Sequence, residues 1–138
     1  MSPSREDYIK NIFKEIEMYG YAQNKSLSYY LEVAKPSVTD MIGKLKDDNL
    51  VYTENSKIFL TEEGLKIAKK LVSIHRLWEK FLREVLNYNR DNIHYQADLL
   101  EHATSDELFQ ALNKYLNYPK TCPHGRIIYL NQEKNSDD

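Results

Sequence analysis

A chain of 138 residues with 41% hydrophobic and 29% charged side chains has the apolar content for a folded core and is not a disordered tail. Four glycines and four prolines are few breakers, which favours long helices over a many-turned sandwich. A formal net charge of −2 excludes indiscriminate electrostatic capture of a polyanion, so a phosphate-binding surface must be local or be completed by a cation.

The single cysteine, Cys122, rules out an intramolecular disulfide and fits a reducing cytoplasm. No N-terminal run resembles a signal peptide and no apolar run has bilayer length, so a cytoplasmic protein without membrane contact is expected. No internal repeat is visible, and the polar residues 131–138 are expected to fray.

In chain order, residues 4–19 predict a helix, with Ser4 as N-cap, Tyr8, Ile9, Ile12, Phe13 and Ile16 at helical spacing, and Gly20 as the stop. Ser26 or Ser28 is expected to cap a short second helix through Tyr29, Tyr30, Leu31 and Val33, followed by a tight break at Ala34-Lys35. Pro36 suits the first turn of a third helix carrying Val38, Met41, Ile42 and Leu45 and ending near Asn49. The β-prone runs 51–54 and 57–60, with Asn55-Ser56 between them, predict a hairpin. Thr61 then caps a long helix running to about Asn87. A helix over 93–103 follows, and Thr104-Ser105-Asp106-Glu107 reads as a capping box opening a last helix with Leu108, Phe109, Leu112, Tyr115 and Leu116. Residues 119–125 form a loop before the short apolar run 127–130. The fold class is therefore mainly α: a winged helix-turn-helix over residues 1–62, an all-helical body over 63–126 and a tail over 127–138. The long helix is expected to join head and body without a flexible linker.

All four histidines fall in the second half. His75 and Glu79, four apart, share a helix face; they form either a hydrogen-bonded surface pair or a chelating pair. His94, Asp98, Glu101 and His102 follow offsets 0, 4, 7 and 8, one stripe of a helix. Such a stripe is either a solvated face or a cluster whose charges require a cation once desolvated. Cys122-Pro123-His124-Gly125 holds a thiol and an imidazole in a short loop, inert packing or an additional ligand pair. Asp7 in the first helical turn is by itself ordinary dipole compensation.

Three segments together resemble the diphtheria toxin repressor family of metal-dependent transcriptional regulators, particularly its manganese-responsive members. They are Pro3-Ser4-Arg5-Glu6-Asp7-Tyr8-Ile9, Lys35-Pro36-Ser37-Val38-Thr39-Asp40-Met41, and the stretch from His75 to His102 that ends in Cys122-Pro123-His124-Gly125. The likeness runs over residues 3–126. It implies a winged-helix DNA-binding head, a helical metal-binding and dimerisation body, and a short form lacking the SH3-like domain. By position, Asp7, Asp98, Glu101 and His102 would form the main metal site, with Cys122 as an additional ligand. His75, Glu79 and His94 would form an ancillary site, and His124 could join either. A cation shared by Asp7 and the 98–102 stripe would fix how the head is held. Lys10 stands where short manganese regulators carry a glutamate, which argues for separate sites over a closely paired two-metal centre. After Gly125 the chain continues Arg126-Ile127-Ile128 in place of the usual Asn-Pro-containing sequence.

The implied function is a repressor of metal-uptake genes, with no enzymatic activity. Oxygen-rich ligands point to Mn²⁺ as the cofactor, with Fe²⁺ or Zn²⁺ favoured by the thiol. The partners are double-stranded DNA carrying an inverted repeat and a second copy of the chain. Ser37, Thr39 and Asp40 are candidates for base edges, and Lys35, Pro36, Lys44 and Lys46 for the backbone side of the recognition helix. Lys57 with Asn55 and Ser56 at the wing, and Lys25 with Ser26, are further candidates. Leu99, Leu108, Phe109, Leu112, Tyr115 and Leu116 are candidates for the dimer interface or the intrachain core. A competing reading is a metal-independent winged-helix regulator that responds to a small molecule. A metallohydrolase is disfavoured by the absence of a His-Glu-x-x-His helix, a Gly-rich phosphate loop and a nucleophile elbow.

Overall fold

The computed structural model describes residues 3–132. It contains two compact units, Met1–Ala68 and Lys69–Asp138, with the boundary inside one helix. Among the described residues no helix is long and apolar enough to cross a membrane.

The first unit begins with α1 (Arg5–Tyr19). Ser4 caps it as expected: its hydroxyl accepts from the Asp7 amide at 3.2 Å, and the Asp7 carboxylate accepts from the Ser4 amide at 2.9 Å. Gly20 closes the helix at φ 88°, its amide donating to the Ile16 carbonyl. The second helix, α2 (Asn24–Leu31), starts two residues before Ser26, contrary to the expected serine cap. The reason is tertiary. The buried Glu15 of α1 accepts from the Ser26 hydroxyl at 2.6 Å and from the Gln23 amide at 3.4 Å, so Ser26 is engaged by a neighbouring helix and is not free to cap α2. Burial still holds the Glu15 carboxyl above its ordinary pKa, opposed by those two hydrogen bonds. The break before α3 (Lys35–Asp47) lies at Glu32 to Ala34, one residue earlier than expected, because Lys35 is already helical. Pro36 sits in the first turn of α3.

Strands β1 (Val51–Glu54) and β2 (Lys57–Leu60) pair antiparallel, Val51 opposite Leu60 and Thr53 opposite Ile58. Asn55 and Ser56 both adopt positive φ, as a two-residue hairpin turn that matches strand twist requires. Ala22 and Ile58 exchange both backbone hydrogen bonds, at 2.9 and 2.8 Å, tying the loop before α2 to the wing. Ile9, Ile12, Phe13, Leu27, Val38, Ile42, Leu45, Val51 and Ile58 are all buried.

Helix α4 (Glu62–Glu84) opens at Thr61, whose hydroxyl accepts from the Gly64 amide. It stops at Glu84, short of Asn87. The turns after α3, α4 and α6 each place an asparagine in the left-handed region: Asn49, Asn87 and Asn117. With only four glycines in the chain, asparagine takes this role.

In the second unit, α4 continues beside α5 (Arg90–Glu101) and α6 (Asp106–Tyr115). Helix α5 starts three residues before the expected Ile93 because Asn89 caps it through the Asp91 amide. Ser105, and not Thr104, caps α6. The Thr104 hydroxyl instead donates to the Leu100 carbonyl at 2.6 Å and accepts from the Trp78 indole at 2.8 Å. Ile74, Leu77, Phe109, Leu112 and Ile128 form the core, flanked by Trp78, Phe81 and Leu116. Phe109, Leu112 and Leu116 thus belong to the fold, while Leu99, Leu108 and Tyr115 are exposed.

The segment after Gly125 is anchored. Asn131, in a 3-10 turn (Tyr129–Asn131), is fully buried and exchanges two side-chain hydrogen bonds of 2.8 Å with buried Asn113. Arg76 donates to the Ile127 carbonyl, and the Leu130 amide donates to Ser73. Asn131 therefore does not fray; residues 133–138 lie outside the described part of the chain.

A Cβ at Gly64 would stand 2.1 Å from the Leu50 carbonyl oxygen, whereas Gly43 has open space around it. Gly64→Ala is expected to destabilise the protein by about 1–3 kcal/mol, since backbone has to move. Gly43→Ala, a helix-interior substitution without a clash, is expected to stabilise it by about 0.5–1 kcal/mol. Urea melts of the two variants check the contrast, and equal midpoints would contradict it.

Candidate metal centre

In the second unit, local geometry prepares three sets of candidate ligands, on α4, on α5 and in one loop, and packing brings them together. The i, i+4 spacing places His75 and Glu79 on one face of α4. Helix α5 carries His94, Asp98 and Glu101 on one stripe, and His102 caps its end. The loop holding Cys122 and His124 is closed by three backbone hydrogen bonds of 2.9 Å: Cys122 amide to Arg126 carbonyl, Gly125 amide to Cys122 carbonyl, and Ile128 amide to Lys120 carbonyl. Gly125 makes the tight turn possible at φ 81°.

His75 is the centre of this arrangement and is only 4% exposed. Its Nδ1 lies 2.6 Å from Glu101 Oε1 and 3.2 Å from Asp98 Oδ1. Its Nε2 lies 3.1 Å from His94 Nδ1 and 3.4 Å from Glu79 Oε2. Burial alone would lower the His75 pKa, but hydrogen bonds to Asp98, Glu101 and Glu79 outweigh it and raise the value to about 10. Burial would likewise raise Glu79, but His75 and His94 hold it down at about 2. Two buried carboxylates, Glu79 and Glu101, and the partly exposed Asp98 thus converge on one imidazole, a donor set that suits a divalent cation.

The donor chemistry fits a cation as well. Ligand atoms of His75, Glu79 and His94 lie within 4.8 Å of one another, as do those of His75, Asp98 and Glu101, and those of Glu79, Cys122 and His124. The structure thus joins His75, Glu79 and His94, the grouping expected for the ancillary site. It also joins Asp98 and Glu101, but against the second edge of His75. Cys122 is buried and groups with Glu79 and His124, not with Asp98, Glu101 and His102. His102 Nε2 lies 3.6 Å from Glu101 Oε2. Asp7 belongs to the first unit, where its carboxylate closes the capping box of α1.

Trp78 is a supporting residue that the sequence did not disclose. Its indole holds Thr104, and through it the end of α5 that carries Glu101 and His102. Its place in an apolar helical pattern concealed the polar N–H.

On the first unit, Lys35, Pro36, Ser37, Thr39, Asp40 and Lys44 are exposed along α3, and Lys57 is exposed at the start of β2. The Thr39 hydroxyl is already engaged, donating to the Lys35 carbonyl at 3.2 Å and accepting from Asn24 at 3.0 Å. Lys57 Nζ stands 4.5 Å over the Tyr21 ring. Ser26 turns its hydroxyl to Glu15 and not to solvent. Arg5, which sequence reading passed over, pairs with Asp48 beside Lys44.

The family model described as the N-terminal DNA-binding domain of iron-dependent repressors matches residues 1–58, and the model of their metal-binding and dimerisation domain matches residues 61–130. The chain belongs to the iron-dependent repressor family. It is 38% identical over 118 residues to the HTH-type transcriptional regulator MntR of Geobacillus thermodenitrificans, an alignment covering 85% of this chain and 83% of the relative. It is similar to the solved manganese regulator SloR at 41% identity and a TM-score of 0.81, over 93% of this chain and 60% of that one. A structure of ScaR with bound Zn²⁺ is similar at 38% identity and a TM-score of 0.80, over 91% of this chain and 59% of that one. This chain therefore spans about three fifths of those two solved chains. Membership identifies a DNA-binding regulator of the diphtheria toxin repressor type, a winged-helix head with a helical metal-binding body, and not an enzyme.

Without metal, the raised pKa of His75 contributes stability that is fully present below about pH 6.5 and is lost as pH rises through about 10. A cation held by His75 would need a lone pair of that ring, so its binding would displace the proton. Cation affinity is expected to rise up to roughly tenfold per pH unit between about pH 6.5 and 8.5. Calorimetry in buffers of different ionisation enthalpy should show about one proton released per cation at His75. A flat affinity with no proton release would mean that the cation does not engage His75.

Proposed function

We propose that this chain is a manganese-responsive transcriptional repressor, acting in the cytoplasm as a homodimer on an inverted-repeat operator that controls metal uptake. The observation that carries the reading is the buried His75 ringed by Glu79, Asp98 and Glu101, inside the domain that matches the metal-binding and dimerisation model. The named relatives MntR and SloR, the latter described as a manganese regulator, support the choice of metal. So does the ligand chemistry, since carboxylate oxygens suit Mn²⁺, while Cys122 leaves room for Fe²⁺ or Zn²⁺.

His75, Glu79, His94, Asp98 and Glu101 would hold the cation, with Cys122 and His124 offering a further position beside Glu79. Asp7 enters the ligand set on the sequence resemblance, as does His102 as a main-site ligand. A bound divalent cation would supply positive charge among the clustered carboxylates. The carboxylates then hold fixed positions on α4 and α5, and the body favours one conformation. A preference of a few kcal/mol for the operator-competent dimer is enough to change DNA affinity by orders of magnitude.

In the head, the α3 face presents Ser37 and Asp40 for base edges and Lys35 and Lys44 for phosphates, and Lys57 at the start of β2 offers a further phosphate contact. Asp40 suits a cytosine amine, because a carboxylate repels phosphate. The exposed Leu99, Leu108 and Tyr115 offer apolar surface for the second copy.

The test is fluorescence anisotropy of the full chain on operator DNA, titrated with Mn²⁺, Fe²⁺ or Zn²⁺ and then with EDTA. Mn²⁺ is expected to tighten binding by at least about tenfold, reversed by EDTA. Asp7→Ala and His102→Ala are each expected to lose most of the metal response and to keep the weak metal-free binding. DNA binding indifferent to metal and EDTA would overturn the proposal in favour of a small-molecule-responsive winged-helix regulator.

A further inference from the structure

The wing carries one cation in a defined setting. Ala22 and Ile58 form an antiparallel bridge and are both buried, at 0% and 4% exposure. Side chains alternate along extended backbone, so their neighbours Tyr21 and Lys57 turn outward on the same side. There the Lys57 ammonium stands 4.5 Å over the Tyr21 ring. Phe59, the next outward residue of β2, stacks on Tyr52 at 5.2 Å, so the outer face of the hairpin is aromatic beside the lysine. Across the hairpin Lys57 is registered with Glu54, and both are exposed. A glutamate in that place is the ordinary partner of a lysine. Pairing with it would neutralise the lysine and set a carboxylate against any approaching phosphate. An aromatic ring holds the ammonium through its quadrupole and adds no net charge. The remaining N–H donors of the ammonium stay available.

We propose that Tyr21 is a positioning residue for DNA binding: its ring keeps Lys57 off Glu54 and presents the ammonium, with its charge intact, to a backbone phosphate. The inference rests on the reading of Lys57 as a phosphate contact and adds the residue that makes that contact effective. A long side chain gives up rotamer freedom when it meets phosphate. Tyr21 restricts Lys57 beforehand, so less freedom remains to be lost on binding. The placement is built into the head, because the two backbone hydrogen bonds between Ala22 and Ile58, 2.9 and 2.8 Å, tie the loop before α2 to β2. A phosphate contact carries no base information, so Tyr21 contributes to affinity for every sequence alike.

The experiment is a double-mutant cycle on duplex DNA, read by fluorescence anisotropy of the full chain in excess Mn²⁺ over a series of salt concentrations. Lys57→Gln is expected to reduce the slope of log affinity against log salt by about 0.9, the share of one phosphate contact. Tyr21→Leu is expected to weaken binding about two- to fivefold, the worth of an exposed cation–π contact, and to cause no further loss where Lys57→Gln is already present. Tyr21→Phe, which keeps the ring and removes the hydroxyl, is expected to bind like the parent. Proton NMR reads the contact without DNA: ring current shifts the Lys57 ε-methylene resonance upfield in the parent and in Tyr21→Phe. Parent-like binding by Tyr21→Leu, the same loss with and without Lys57, a loss in Tyr21→Phe, or an unshifted methylene in the parent overturns the inference. An unchanged slope in Lys57→Gln removes the phosphate contact and the inference with it, while the metal response of the parent on operator DNA separately decides the proposed function.

Discussion

Burying His75 between α4 and α5 is tolerable only because every polar edge of the ring meets a partner. Three carboxylates, Glu79, Asp98 and Glu101, lie within 3.4 Å of its nitrogens. An ion pair out of water recovers its desolvation cost only with good geometry and further hydrogen bonds. Here the imidazolium has both, but the carboxylates outnumber it. The body is thus folded around a buried cluster of one imidazole and several carboxylates, whose packing and hydrogen bonds contribute to stability.

The surrounding structure keeps those side chains in place. Ile74 and Leu77, the neighbours of His75 and Trp78 on α4, lie in the core with Phe109, Leu112 and Ile128. The Trp78–Thr104 hydrogen bond fixes the end of α5. The loop bearing Cys122 and His124 is held at its base by the Thr121–Ile127 bridge, and the chain beyond it is locked by the buried Asn113–Asn131 pair. Ligands supported by packed helices and a closed loop lose little freedom on binding, which favours affinity and a defined geometry.

The reading head solves a different problem. A chain of net charge −2 must offer positive charge locally to meet DNA. It does so with lysines on the exposed side of α3 and at the wing, above an apolar core of α1, α2, α3 and the hairpin. Glu15, buried beneath this surface, ties the start of α2 to α1 through Ser26 and the Gln23 amide. The Ala22–Ile58 bridge makes the wing part of the same unit.

The sequence by itself determined the element order, both strand boundaries, the Ser4 and Thr61 caps and the ligand-rich faces of α4 and α5, because periodicity and capping are local properties. Resemblance of three segments was enough to name the family. Tertiary structure decided what local rules cannot carry. A carboxylate from another helix engaged Ser26, which was expected to cap α2; a tryptophan drew Thr104 out of its expected cap; and buried Asn131 turned an apparent tail into part of the core. It likewise decided that Cys122 stands with Glu79 and His124, and that His75 faces two ligand sets at once. Spacing along a helix fixes which residues share a face, but which residues meet across helices depends on packing between segments far apart in the chain.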